Sequence, residues 1–337
     1  MGAKREGDGW LARELARPYR LAAFVFAAGA LWVGALVGVA RTAGFHGVWR
    51  VLLHPHWLWF LVALAGEGVA YLGYTFAYRE LTRAERGPEL DVPSAAALVT
   101  TGFGVFVQGG GFALDRAALE RIGLSQREAR ERVLGLGTLE YAVLAPAALV
   151  AATFLLLARD SVDASLTLPW VIGVPAGAAL AFLALRFKDV FDRDGWRRRI
   201  HAALSAIQLL VRLVTQPGLA LLAFAAITIY WLGDIACLWA ALHAFSAKPP
   251  PVAQLLVGYA TGYSLTRRAL PLGGAGVVEA LLPFALGWVG IARAPAVLAV
   301  AAYRLINLWL PMLPALAGIP TLRRLERRRR TRSRSPA

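Results

Sequence analysis

Five ionisable side chains lie inside apolar sequence: Glu67, Glu140, Asp234, Glu279 and Arg304. On insertion scales a charged Asp, Lys or Arg at the centre of a membrane helix costs roughly 2.5–3.5 kcal/mol, so each calls for a partner or a wet cavity. Arg304 is the strongest candidate for contact with an anion, because its fork of donors suits phosphate or carboxylate bidentately. Asn307, three residues on, falls on the same face of an α-helix and would complete that site. Glu279 closes the run Pro271-Leu272-Gly273-Gly274-Ala275-Gly276-Val277-Val278-Glu279, which follows the basic pair Arg267-Arg268. Hydrocarbon tolerates broken backbone and buried charge only where protein or a water-filled cavity receives them. The segment is therefore expected to line something polar within the membrane. Helix ends at Gly273, Gly274 and Gly276 would offer backbone N–H groups to the same anion, with Arg267 and Arg268 beside them.

Blander readings stand next to these. The glycines would also serve a close helix contact, with Glu279 as a structural or gating partner of Arg304. Glu67 and Asp234 would be helix–helix polar contacts, and Glu140, near the end of its span, would reach the interface. Catalytic constellations are poor. His46, His54, His56, His201 and His243 lack metal-ligand spacing beyond His54-Pro-His56, which has no acidic or cysteine companion. Cys237 is the only cysteine, so an intrachain disulfide is excluded. No Gly-Lys-Ser/Thr follows the glycine clusters, and no nucleophile elbow is present. The expectation is a protein without catalytic chemistry, metal or cofactor.

The elements that must position these groups are membrane helices. The chain has 337 residues and is 58% hydrophobic, far from a soluble composition. A spanning helix needs roughly 20 mostly apolar residues. Leu21–Ala40, Trp57–Tyr78, Leu134–Ala158, Leu168–Phe187, Gly218–Phe245 and Ala294–Gly318 qualify, and Pro93–Leu114, Val252–Thr266 and Leu270–Val289 are shorter or glycine-interrupted. The fold class is all-α: a polytopic integral membrane bundle of about eight crossings by the length rule, with re-entrant or broken segments. Residues 1–20 form an N-terminal segment, 21–318 a single membrane domain and 319–337 a basic tail.

The net charge of +15 flanks hydrophobic spans, which favours membrane orientation and anionic lipid over nucleic acid as its reason. Lys4, Arg5, Arg13, Arg17 and Arg20 keep the N-terminus cytoplasmic, and the arginines of 323–334 do the same for the tail, which places the chain in the cell (cytoplasmic) membrane. The mixed-charge loop 79–91 and the arginines of 116–132 want the same, cytoplasmic side, so Pro93–Leu114 is expected to dip in and return. Trp196–Val214 reads as a basic amphipathic helix. Its apolar stripe is Ile200, Leu204, Ile207, Val211 and Val214, and it suits either the membrane interface or packing on the bundle. Ser125-Gln126-Arg127-Glu128 has the form of a capping box after Gly123.

A weak internal two-fold repeat relates about 93–158 to 252–318. Thr101-Gly102-Phe103 matches Thr261-Gly262-Tyr263, Gly123-Leu124-Ser125 matches Gly290-Ile291-Ala292, and Ala129 matches Ala296. Between them Gly109-Gly110-Gly111, followed by Asp115-Arg116, faces the Gly273–Gly276 segment. Paired interrupted segments in two halves point to a transporter site at the repeat interface.

From Leu270 to Gly318 the pattern resembles the lysylphosphatidylglycerol synthase transmembrane-region family. There, a Pro-Gly-Gly-x-Gly-x-x-Glu motif precedes a final helix with an arginine, matched here by Pro271–Glu279 and Tyr303-Arg304. The family's Gly-Glu-x-x-Arg element at the first break is absent; Gln108–Arg116 stands there, with Asp115-Arg116 as its only charged substitute. The resemblance implies a flippase-like bundle that moves or accommodates lipids. It does not carry over synthase activity, which in the family belongs to an added soluble domain. The expected partners are anionic membrane lipids. A scaffold for a separate lipid- or glycan-modifying enzyme is the second reading, and a membrane enzyme using Glu279 with Asp115 the third.

Overall fold

The computed structural model describes residues 18–104, 110–158, 162–187, 196–263 and 271–313, and all regular structure among them is helical. In chain order the helices are α1 (Pro18–Ala43), α2 (Phe45–Leu52), α3 (Leu58–Arg83), α4 (Val92–Gly104), α5 (Gly110–Arg121) and α6 (Gln126–Leu157). There follow α7 (Ala164–Arg186), α8 (Trp196–Val214), α9 (Pro217–Ala244), α10 (Val252–Tyr263), α11 (Val277–Trp288) and α12 (Arg293–Arg304). A 3₁₀ turn, Pro271–Gly274, precedes α11, and α12 runs into a π-helical turn, Leu305–Trp309. Helices α1, α3, α6, α7 and α9 are long and apolar enough to cross a membrane. The other expected crossings are built from short helices in series. Helices α4, α5, α10, α11 and α12 have 12 or 13 residues each. At 1.5 Å per residue they reach about 20 Å, short of a hydrocarbon core of roughly 30 Å.

The centre of the molecule is the crossing of α3 and α9, and its closeness follows from small residues. A Cβ on Gly66 would stand 2.9 Å from both Gly233 O and Cys237 N, and one on Gly233 would stand 2.5 Å from Ala70 N. A Cβ on Gly73 would stand 2.5 Å from Tyr230 N. Without a hydrophobic drive between helices in lipid, such backbone approach supplies the contact. The crossing is reciprocal: Gly66 meets Gly233 and Cys237, while Gly233 meets Gly66 and Ala70. Gly66 and Gly233 are 167 residues apart, as are Ala70 and Cys237. That is the spacing of the Gly123/Gly290 repeat, which therefore extends back to the central helices.

The repeated turns have one geometry. Gly123 and Gly290 both have positive φ (120° and 89°). Leu124 N donates to Leu119 O at 3.2 Å, and Ile291 N donates to Leu286 O at 3.1 Å. Ala129 and Ala296, one turn later, are both fully buried. At the α5–α6 turn the capping box closes as the sequence suggests, with Glu128 N donating to Ser125 Oγ and Ser125 N to Glu128 Oε2. Helix α8 forms over the expected residues and packs on α6, with Leu209 against Gly135. Of the expected stripe Leu204 is buried, Ile200 and Ile207 are half-buried and Val211 and Val214 are exposed, while Ala202, Ser205, Ala206, Leu209, Leu210 and Leu213 are also buried.

The Gly73→Ala variant should lower stability by about 1–3 kcal/mol, the usual cost of overpacking a close contact. Gly68→Ala, where an added Cβ meets nothing within 4 Å, should leave thermal unfolding in detergent unchanged.

Candidate functional site

The break between α10 and α11 is made by a left-handed run that few side chains tolerate. Leu272, Gly273 and Gly274 have φ of 57°, 63° and 70°, and Gly276 follows at 86°. Glycine carries little penalty there, and the chain reverses within a few residues to start α11. Glu279, in the first turn of α11, reaches back so that Gly276 N donates to its Oε2 at 2.6 Å. A carboxylate at this position is also favoured by the helix dipole. Its other oxygen, Oε1, accepts from Arg304 Nε at 2.6 Å, and Arg304 Nη2 donates to the carbonyl of Gly273 at 2.8 Å. Both side chains are fully buried. Arg304 Nη1, also buried, has no hydrogen-bond acceptor among the described residues. The arginine thus ties the end of α12 to both sides of the break and keeps one donor group unsatisfied.

Helix α1 covers this segment. A Cβ on Gly276 would lie 3.2 Å from Leu31 Cβ, and Trp32 meets Trp309 edge to face with centroids 5.9 Å apart. Ala28 packs with Ala275 and Leu308 in a small apolar cluster.

Asn307 does not complete the Arg304 site. The helix widens immediately after Arg304, where Leu310 N donates to Leu305 O at 2.8 Å, an i to i+5 bond. Each residue then advances less around the axis, so Asn307 leaves the face that a continuous α-helix would give it. Its Nδ2 donates instead to Asp234 Oδ1 and, at 3.3 Å, to Glu67 Oε2. The other oxygen of Asp234 accepts from Tyr303 Oη at 2.6 Å and from Tyr259 Oη. Glu67 and Asp234 are thus helix–helix polar contacts, as the blander reading has them, and Asn307 joins the two into one cluster at the α3–α9 crossing. They are themselves 167 residues apart, each just after its crossing glycine.

Glu140 corrects another expectation. It is buried within α6, 5% exposed, and does not reach an interface: its Oε1 accepts from Tyr74 Oη at 2.7 Å. Trp231 Nε1 of α9 donates to its carbonyl at 2.9 Å. Glu140 and Asn307 are again 167 residues apart, and each joins its helix to α3 and α9.

In the first half, Asp115 is buried with Oδ1 placed 2.8 Å from where a Cβ on Gly102 would stand. The matching contact in the second half is Leu282 against Gly262. Asp115 thus takes the place of Leu282, and the position corresponding to Glu279 is Phe112. Arg116 is half exposed beside Glu120 at 3.4 Å. Gly110 and Gly111 begin α5, while Gly109, Arg267 and Arg268 lie outside the described residues. The two halves share a frame, and among the described residues the second holds a buried guanidinium–carboxylate pair at its break.

Sequence reasoning missed the three tyrosines and the Gly273 carbonyl. Tyrosines inside spans 74, 259 and 303 were the available signal, since a phenol in hydrocarbon needs an acceptor. Among the described residues, no three His, Cys, Asp or Glu side chains are grouped to hold a metal ion.

Comparison with known proteins adds the decisive observation: the family described as "Lysylphosphatidylglycerol synthase TM region" matches residues 20–315. The chain belongs to that family. The match includes both halves and every buried group described above. No curated protein matches the chain. As a lysylphosphatidylglycerol synthase TM region, this is a multi-pass membrane protein linked to lipid handling.

Removing one member of the Arg304–Glu279 pair leaves an uncompensated buried charge, which typically costs about 3–5 kcal/mol. Arg304→Met should therefore unfold at markedly lower temperature than wild type, and the Glu279→Leu/Arg304→Met double variant should recover part of the loss. A double variant no more stable than the single one would show that the two groups are not coupled.

Proposed function

We propose that the protein is a flippase-like lipid transporter that moves anionic headgroups past the broken α10–α11 segment while the acyl chains stay in the bilayer. The observation that carries this reading is the Arg304 fork. It is buried beside a helix break, held by a carboxylate, and has an unused donor group at Nη1. A headgroup phosphate offers the same oxygen geometry as the Glu279 carboxylate. Entry of a phosphate would exchange one oxyanion for another at Arg304 Nε and satisfy Nη1 in addition. The guanidinium then stays neutralised throughout, so it never faces hydrocarbon as a bare charge. Displaced Glu279 keeps its bond from Gly276 N at the start of α11. Helix α1, packed on Gly276 through Leu31, is the cover that has to shift for a headgroup to enter. The protein carries out no bond-making step in this reading, and it resides in the cytoplasmic membrane with both termini inside.

One observation favours a second reading, a membrane scaffold for a lipid- or glycan-modifying enzyme. Arg304 and Glu279 are sealed from solvent in the described conformation, which is also how a structural pair is held.

Headgroup accessibility in proteoliposomes separates the two. With headgroup-labelled phosphatidylglycerol and phosphatidylcholine and a membrane-impermeant quencher, wild type should expose the protected inner-leaflet anionic label. Arg304→Lys, which keeps the charge but loses the fork, should do so at least about tenfold more slowly, the range expected for loss of a charge-assisted bidentate contact. No label movement by folded wild type, with an ion gradient supplied, would overturn the transporter reading in favour of the scaffold.

A further inference from the structure

Away from the buried pair, a cleft of about 390 Å³ opens between α5, α6 and α8. Arg116, Arg127, Arg130 and His201 line it against a single carboxylate, Glu131, with Ser205 at its floor. The nearby acids are largely engaged. Glu131 Oε1 accepts from Arg127 Nε at 3.0 Å, Glu120 pairs with Arg116 at 3.4 Å, and Glu128 caps Ser125. On the neighbouring surface, Arg132 and Arg212 are both bound to Glu85. Arg130 is different: it lines the cleft and has no ion pair among the described residues.

The repeat shows that folding does not require these arginines. The same turn, with the same glycine geometry and buried alanine, is built in the second half with Pro283, Ala294 and Val297 at the positions of Arg116, Arg127 and Arg130. A frame that works with apolar residues has been given three guanidinium groups converging on one cavity in the first half only. An interspersed solvated surface would place its acids in the cleft as well, and here only Glu131 is there.

We infer that this cleft is a second, separate anion site, and that it binds a phosphate ester. Guanidinium groups provide the bidentate fork that phosphate oxygens match, and an imidazole and a hydroxyl complete a polar lining. The cavity is large enough for a phosphate with its glycerol but not for acyl chains, which would have to lie outside along α8, where Val211 and Val214 are exposed. The inference does not rest on Arg304 or on transport.

The test uses the full chain in phosphatidylcholine nanodiscs at constant ionic strength set with chloride. Inorganic phosphate, glycerol 1-phosphate and water-soluble dihexanoyl phosphatidic acid are titrated by calorimetry. Saturable binding is expected, weakened at least about tenfold in Arg130→Gln, in line with loss of a charge-assisted hydrogen bond, and further in Arg127→Gln/Arg130→Gln. Arg130→Lys should recover part of it, and Arg41→Gln, on α1, should match wild type. Tighter binding of the phosphatidic acid than of glycerol 1-phosphate assigns the site to a lipid headgroup, and equal binding assigns it to soluble phosphate esters. Absence of saturable binding in wild type, or unchanged affinity in folded Arg127→Gln/Arg130→Gln, would overturn the proposal.

Discussion

The close crossing of α3 and α9 is the constraint on which the rest of the molecule depends. Glycines at 66, 73 and 233 let the two backbones approach to a distance that no side chain permits. In lipid there is no hydrophobic effect to hold such helices together, so van der Waals contact and buried polar bonds must do it. The polar bonds are supplied by the residues beside the glycines. Glu67 and Asp234 face a common point, and Asn307 reaches both from the π-helical turn. Because α4, α6 and α12 pack on this pair and α10 reaches it through Tyr259, the position of each broken segment is tied to the crossing. A wider crossing would leave Asn307 unable to join the two carboxylates.

The repeat explains both the symmetry of this frame and where it is broken. One offset relates the crossing glycines, the two carboxylates after them, the turns at Gly123 and Gly290, and the pair Glu140 and Asn307. Chemistry diverges on top of the shared backbone. The second half places Glu279 and Arg304 inside, whereas the corresponding positions in the first half are Phe112 and Gly137. The first half places Arg116, Arg127 and Arg130 at the outer turn, where the corresponding residues of the second half are Pro283, Ala294 and Val297. Each half thus places its charged side chains differently on the shared backbone.

Much of the fold was legible because hydropathy reads directly as helix in a membrane chain, and because glycine runs mark breaks that lipid would otherwise forbid. The pairing of Glu279 with Arg304 was legible too, since an isolated arginine in hydrocarbon demands an acid. The partners of Asn307 were not. Its expected face assumed continuous α-helical geometry, and nothing in Leu305-Ile306-Asn307-Leu308-Trp309 announces a π-helical turn. The burial of Glu140 was missed for a related reason: its phenol partner, Tyr74, lies 66 residues away in sequence. On α8 the hydrophobic stripe was legible only in part: Leu204 lies inside, but at the C-terminal end Leu209, Leu210 and Leu213 are buried in place of Val211 and Val214.

The buried pair has a property that bears on both readings of the protein. An arginine whose only acceptors were carbonyls would be too poorly neutralised to stay in the membrane, and one with two carboxylates would have no reason to release either. Arg304 lies between these limits, with one carboxylate, one carbonyl and an unsatisfied Nη1. Glu279 in turn has a second anchor at Gly276 N, so it remains hydrogen-bonded when its arginine is taken. Leaving that donor unpaired costs about 1–3 kcal/mol, and the Arg132–Glu85 pair leaves Arg132 Nε unpaired in the same way. An unsatisfied donor beside a carboxylate with a second anchor is therefore the arrangement that the proposed exchange of anions at Arg304 requires.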